Sequence, residues 1–479
     1  MTPNRALPAV LLLAFALPVL AEDPGTEVPA SVRVAEIVKL RGKGPAAAEP
    51  LRAALADPRE AVRSAAVQTI ANELGAAAVP DLLARLDDTE ESVAVNAALA
   101  LVTIPGDDAA AATRAALTNA RDRVRSQTAA ALGDRRDARF VAEIGALTGD
   151  SIAAVRGTAV SALRAIGTKE TFPFLMQATA DASAQTAADA VDALGVLRDP
   201  RAAERVARLA ASESPLVRAA VARTLPVLGG VGSHGPVVMG LIGDADETVR
   251  MSLLQSLRDH PAADQLPILA KAASDASPAV RRMLVAAARQ NPAPAALDLV
   301  AARLKDADVK VRATAALALG AAGDKARLSA VRSVAKDPDA SVRAACAESL
   351  GELRAAEGLG TLESLAKDAD PTVRSRAVSA AGRVGGEQAF AIVDLGLKDK
   401  EALVRLEAVR ALGTLGGAPA RQRLVAVAKK EQMPIRLAAI QTLGALKDKE
   451  ALSALRELQK DPAEAVRSAA RRAIEAIGA

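Results

Sequence analysis

Apolar residues recur along most of this chain in a stripe of fixed form. With Val404 as position zero, Ala408, Val409, Leu412 and Leu415 follow at steps 4, 5, 8 and 11, which is one face of a 3.6-residue helix. Gly416 falls at step 12, and Gly167, Gly323 and Gly385 hold the same step of their own stripes. Glycine tolerates the left-handed conformation that ends a helix, so a first helix is predicted to stop there. A second, shorter apolar run such as 421–428 follows and predicts a second helix.

Each stripe begins at a Val-Arg dipeptide, whose arginine recurs as Arg63, Arg125, Arg156, Arg218, Arg250, Arg281, Arg312, Arg343, Arg374, Arg405 and Arg467, with Ile435-Arg436 as a variant. The spacing is 31 residues or a multiple of it, except for 32 between Arg218 and Arg250. Ala94 and Ala187 fill two slots, making fourteen registers, and Ser31-Val32-Arg33 reads as a degenerate fifteenth. Six residues before the arginine stands an aspartate: Asp57, Asp88, Asp150, Asp181, Asp244, Asp275, Asp306, Asp337, Asp368, Asp399 and Asp461, with Asn119 and Ser212 standing in. Asp, Asn and Ser cap helix N-termini, which predicts a cap at this position. Pro58, Pro338, Pro371 and Pro462 fall near the first turn, where a missing N–H does no harm.

One helix pair cannot bury its stripe alone, but stacked neighbours can. The expectation is therefore an all-α solenoid over 22–479 of about 14–15 two-helix repeats with a 31-residue period. Its parts are a degenerate unit at 27–56, units in register from about 57, and a C-terminal capping helix at 461–479.

The D-x5-R spacing, V-R-x-x-A and the trailing L-G resemble HEAT repeats, and the short unit is most similar to the bacterial HEAT-like class first named from phycobilisome lyases. The resemblance covers nearly all of the chain after residue 21. It implies a right-handed α–α superhelix with an armadillo-like fold. It also implies a hydrogen-bonded Asp–Arg ladder between successive repeats, carried here by Asp57/Arg63, Asp150/Arg156, Asp244/Arg250, Asp275/Arg281, Asp306/Arg312, Asp337/Arg343, Asp368/Arg374, Asp399/Arg405 and Asp461/Arg467. The class name adds a bilin-lyase-like enzyme as an alternative function.

Composition sharpens this picture. Aromatics are 1%, with no Trp or Tyr, so Ala, Val and Leu must fill many thin layers rather than one thick core. The single cysteine, Cys346, permits neither an internal disulfide nor a structural zinc site. Net charge is +4, but residues 261–479 hold 34 Lys+Arg against 26 Asp+Glu. Met1 to Arg5 carries one positive charge, and Ala6 to Leu20 is apolar and ends in Val19-Leu20-Ala21. This predicts a signal peptide over 1–21 cut after Ala21, and a periplasmic or secreted protein. The apolar run is too short, and too interrupted by Pro8 and Pro18, for an easy span.

The chemistry is sparse. Two histidines, His234 and His260, and no H-E-x-x-H, P-loop or G-x-S-x-G motif argue for no catalytic residue, no metal and no cofactor. His234 lies in the glycine-rich segment 229–236, where the extra residue of the 32-residue unit falls, and is read as part of an inter-helix turn. Phe140, Phe172, Phe174 and Met176 form a candidate partner-binding cluster, or else fill a widened layer. Lys305, Lys336, Lys367, Lys398, Lys429 and Lys460, spaced by 31, form a candidate polyanion-binding column, or else complement helix C-termini. The reading is a monomeric, non-enzymatic scaffold that binds a protein along a concave face of second helices. A polyanion-binding envelope module is the alternative. Nucleic acid is disfavoured by the lack of aromatic platforms.

Overall fold

In the computed structural model, residues 28–478 are described, and every regular element among them is helical. The expected signal segment 1–21, with its cut after Ala21, lies outside the described residues. The described chain forms two units, 28–197 and 198–478.

In both units the element is a helix pair. First helices such as Ala153–Ile166, Val309–Ala322 and Ala402–Leu415 are each 14 residues long. Second helices such as Phe172–Ala178 and Leu359–Leu365 are shorter. First helices pack on the first helices of neighbouring repeats and on their own second helix. The predicted stripe is the buried face: Val404, Ala408, Val409 and Leu412 are fully buried, as are Leu424 and Ala428 from the second helix.

The small residues let these layers close. A Cβ on Gly320 would lie 2.5 Å from the Cα of Ser349, so helices Val309–Ala322 and Ala340–Leu353 meet backbone to backbone. Ser349 Oγ donates to the carbonyl of Ala316 across the same contact, at 2.7 Å. The Leu-Gly found in several stripes is thus a packing feature, and Gly133, Gly351 and Gly444 make the same close approach to the next first helix.

Gly167 and Gly323 take left-handed φ values of 64° and 69° and end their helices as expected. Four basic residues, Arg136, Arg198, Arg354 and Lys447, adopt the same conformation at the same step, with φ between 47° and 53°. That conformation costs an L-residue about 1–2 kcal/mol. A cation there faces the negative end of the helix, which returns about 0.3–1 kcal/mol.

Two expectations need correction. The repeated aspartate is not the helix cap. It stands two residues earlier and closes a turn, as Asp306 does by accepting from the amide of Asp308 at 3.0 Å. The cap is the residue that follows that turn: Asp246, Ser277, Asp308, Asp339 and Asp370 accept from first-turn amides of their own helices. A carboxylate at the earlier position keeps a free oxygen for another partner, which a capping carboxylate would spend. The glycine-rich segment, second, is mostly helical, and the expected inter-helix turn narrows to His234, between helices Pro215–Ser233 and Gly235–Leu241. Helix Pro215–Ser233 runs through it for 19 residues, so the extra residue lengthens a helix.

Candidate functional site

The arginines of the repeat form a ladder, and its side-chain pairs run forward along the chain. Arg343 donates from Nε and Nη2 to the two carboxylate oxygens of Asp368, at 2.7 and 2.9 Å. Its Nη1 donates backwards to the carbonyls of Asp337 and Pro338, at 2.8 and 3.1 Å. One guanidinium therefore ties the turn that opens its own repeat to the turn that opens the next. The same two-oxygen grip links Arg63 to Asp88, Arg125 to Asp150, Arg156 to Asp181, Arg218 to Asp244, Arg250 to Asp275, Arg281 to Asp306, Arg312 to Asp337 and Arg374 to Asp399. Arg436 holds Asp461 with one nitrogen. Bidentate pairs of this kind are the strong, shape-specific form of the ion pair.

So the aspartate and arginine of one repeat do not meet side chain to side chain; the arginine takes the aspartate's carbonyl instead. The ends of the series differ. Asp57 is held by Arg59. Arg467 pairs with Glu464 of its own helix.

The electrostatics follow the geometry. The arginine bond, against a burial that would raise them, holds Asp150, Asp181, Asp244 and Asp368 below the usual carboxylate range. For Asp88, Asp306, Asp337 and Asp399 burial is the largest influence and pushes upward. The arginine bond, the amide two residues on and the nearby positive charge outweigh it, so these too lie low.

The interruptions are regular. Ala94 offers no guanidinium, and the position 25 residues on is Asn119. Ala187 and Ser212 repeat that relation. Where the cation is missing, the carboxylate is missing too. Asn119 instead donates its amide to the carbonyl of Leu86, at 3.1 Å. Sequence reading found both sets of exceptions but did not connect them, although the spacing was there to be read. It also missed ion pairs between adjacent second helices, such as Arg52–Asp81, Arg114–Glu143 and the half-buried Arg423–Asp394, all 29 residues apart. Their positions are polar in only some units, so no column marks them.

The candidate surfaces divide. Phe140 is only 2% exposed, with the guanidinium carbons of Arg114 and Arg139 at 5.3 and 5.4 Å from its ring centre. It is a core residue, which corrects its place in a contact cluster. Phe174 lies against Gly145, where a Cβ would meet its ring at 2.5 Å, and Phe172, Phe174 and Met176 are half-buried. All six column lysines are exposed. Lys367 pairs with Glu363 and Lys429 with Glu457.

His234 Nε2 is 3.9 Å from the Glu204 carboxylate, and His260 Nε2 is 3.3 Å from Arg198 Nη2. The Cys346 thiol is buried and donates to the Val331 carbonyl; burial pushes its pKa up to about 12. Among the described residues no three His, Cys, Asp or Glu side chains are grouped to hold a metal ion. Among the same residues no helix is long and apolar enough to cross a membrane. A groove of about 570 Å³ lies between second helices Val79–Ala84 and Asp107–Leu117, beside Asn119. Leu83 lines it and is 42% exposed.

Comparison with known proteins agrees with this architecture. Among solved structures, Kap121p bound to Ste12p is 14% identical, with a TM-score of 0.61 over 89% of this chain and 56% of that one. Kap121p bound to Pho4p is 13% identical, with a TM-score of 0.60 over 89% and 56%. Kap95p, in a structure concerning RanGDP, is 13% identical, with a TM-score of 0.53 over 93% and 66%. The chain thus spans between about half and two thirds of those proteins, and the likeness is one of fold. No curated protein matches it in sequence. The sequence pattern of HEAT repeats matches residues 48–133, 110–188, 172–258, 266–340, 328–394 and 391–475. Those matches take in most of both units, and the chain belongs to the HEAT repeat family.

Proposed function

We propose that this chain is an exported, non-enzymatic scaffold that binds a protein partner along the exposed faces of its second helices, without a cofactor. The observation that carries this reading is a division of labour within each unit. The charged groups of the repeat register are consumed in the ladder that joins one repeat to the next. The second helices keep side chains that differ from repeat to repeat, such as Pro80 and Leu83 in one and Arg332 and Ser333 in another, and an array of repeats uses that kind of surface for recognition. Kap121p, of similar fold, has been solved bound to Ste12p and to Pho4p. Export rests on the apolar segment ahead of Ala21.

Crosslinking in the native cell, followed by mass spectrometry, tests the scaffold reading. The expected result is a reproducible partner joined to second-helix lysines. Crosslinks only within the chain would overturn it. N-terminal sequencing of the mature protein tests export, with Glu22 the expected first residue.

A further inference from the structure

The lysine column lies on the same edge as the ladder. Lys305, Lys336, Lys367 and Lys398 each immediately precede a ladder aspartate, Asp306, Asp337, Asp368 or Asp399. Those aspartates are gripped by Arg281, Arg312, Arg343 and Arg374. The backbone under each of these four lysines is thereby held in register with the next. Helices packed about 8–10 Å apart put neighbouring lysines at about that spacing.

Two observations separate this column from simple support of helix ends. First, the need for a cation at a helix C-terminus applies to every repeat. The eight earlier repeats have Ala56, Asp87, Thr118, Gly149, Ala180, Ala211, Gly243 and Ser274 at this position, with no lysine among them, and the second helices that lead to Gly149, Ala180 and Gly243 end with no cation in the last turn at all. Second, a lysine serving only its own fold is free to pair with a neighbouring carboxylate. Among the described residues Lys305, Lys336, Lys398 and Lys460 have no carboxylate at ion-pairing distance, although all are exposed.

We propose that this edge of the unit 198–478 binds an extended acidic polypeptide segment, with one carboxylate to every third residue. The inference rests on the scaffold reading and names the chemistry of its partner. An extended chain advances about 3.3 Å per residue, so every third side chain matches a spacing of about 10 Å. A second row of charge favours a peptide over a densely charged polymer. Asp308, Asp339, Asp370 and Glu401 stand three residues after their lysines, and the first three are fixed as helix caps. A polymer charged at every few ångströms would meet that row and be repelled; a sparsely charged peptide can keep to the lysines.

The test uses the mature chain and a fluorescent peptide of about 18 residues with Glu at every third position, read by anisotropy at about 0.15 M salt. Binding is expected, and a Gln-for-Glu peptide should not bind. Replacing Lys305, Lys336, Lys367 and Lys398 with Gln should weaken binding by about tenfold or more. Removing four exposed lysines elsewhere (Lys169, Lys325, Lys447 and Lys449 to Gln) should change it by less than about twofold. Far-UV circular dichroism should be the same for all variants, since every substituted side chain is exposed. Equal losses in the two quadruple variants would overturn the proposal, because net charge alone would then explain binding. So would retention of dextran sulfate with no binding of the peptide. If crosslinking finds a partner while the peptide fails to bind, the scaffold reading stands and this inference falls.

Discussion

Removing Arg343 should uncouple two repeats without unfolding either. Its side chain and that of Asp368 are 16% and 12% exposed, so the pair is largely, not wholly, buried. Arg343→Ala deletes four charge-assisted hydrogen bonds and leaves Asp368 beside the low-dielectric core with one amide bond, from Asp370. Stranding one member of a fully buried pair costs about 3–5 kcal/mol, and residual solvation lowers that here to about 2–3 kcal/mol. The loss belongs to the contact between repeats, because repeat arrays are stabilised by terms for each repeat plus terms for each interface. With neither Trp nor Tyr, intrinsic fluorescence is of little use. Native-state hydrogen exchange of helices Ala340–Leu353 and Pro371–Val384 reads the effect directly. The decisive form is a cycle of Arg343→Ala, Asp368→Ala and the double variant. A coupling of about 1–2 kcal/mol is expected. Additivity within about 0.3 kcal/mol would show that the pair is present but does not join the repeats, and would refute the reasoning. Arg343→Lys should not restore it, because one ammonium cannot span both oxygens and both carbonyls.

Asp150, Asp181, Asp244 and Asp368 have lowered pKa values, so their contribution is complete above the unfolded value of about 3.9 and is lost as pH falls through the folded one. Urea midpoints followed by circular dichroism should therefore hold steady from about pH 7 to 5 and drop below about pH 4; a drop centred near pH 6 would contradict this. Cys346, with a pKa of about 12 and no exposure, should resist iodoacetamide at pH 8 in the native state and react readily in denaturant. Gly320→Ala should lower stability by about 1–3 kcal/mol by forcing two backbones apart, whereas Gly323→Ala, in open space at φ 69°, should lose only about 1 kcal/mol; thermal melts compare the two. Ala94→Arg together with Asn119→Asp should be more stable than the sum of its single changes, and simple additivity in urea unfolding would count against a restored rung.

The fold was legible because each repeat writes the same local rules again: a stripe from Val404 to Leu412, a stop at Gly416, and a 31-residue return. What escaped was direction and depth. Nothing in the spacing Asp337 to Arg343 says that the side chain reaches forward to Asp368 and only the carbonyl backward. The cap was misplaced by two residues because Asp306 and Asp308 are chemically alike, and only the backbone tells a turn from a helix start. Rarity was a poor guide to exposure at Phe140: in an alanine-rich core one large ring fills a gap, and two arginines cover it. The glycines at 229–235 suggested a longer turn than the single residue, His234, that separates the two helices there.

The exceptions to the ladder follow from the same energetics as its rule. A buried guanidinium without its carboxylate, or the reverse, is worse than a neutral pair, because one desolvated charge remains unpaired. Matched loss is therefore the less costly way to lose a rung, as at Ala94 with Asn119 and at Ala187 with Ser212. Arg405 is the informative departure. Its register partner would be residue 430, which is lysine, a like charge. The arginine is kept because Glu431, one residue further on, approaches Nε at 3.4 Å while Nη1 still donates to the carbonyls of Asp399 and Lys400. The result is one contact in place of two, on a carboxylate more exposed than Asp368 or Asp399. The lysine edge passes this same junction at Lys429, which pairs with Glu457, and Lys430 sets a second cation where the other rungs have an aspartate. Strength between repeats and positive charge at the edge are thus exchanged at one position, as expected if both draw on the short turn that joins a second helix to the next repeat.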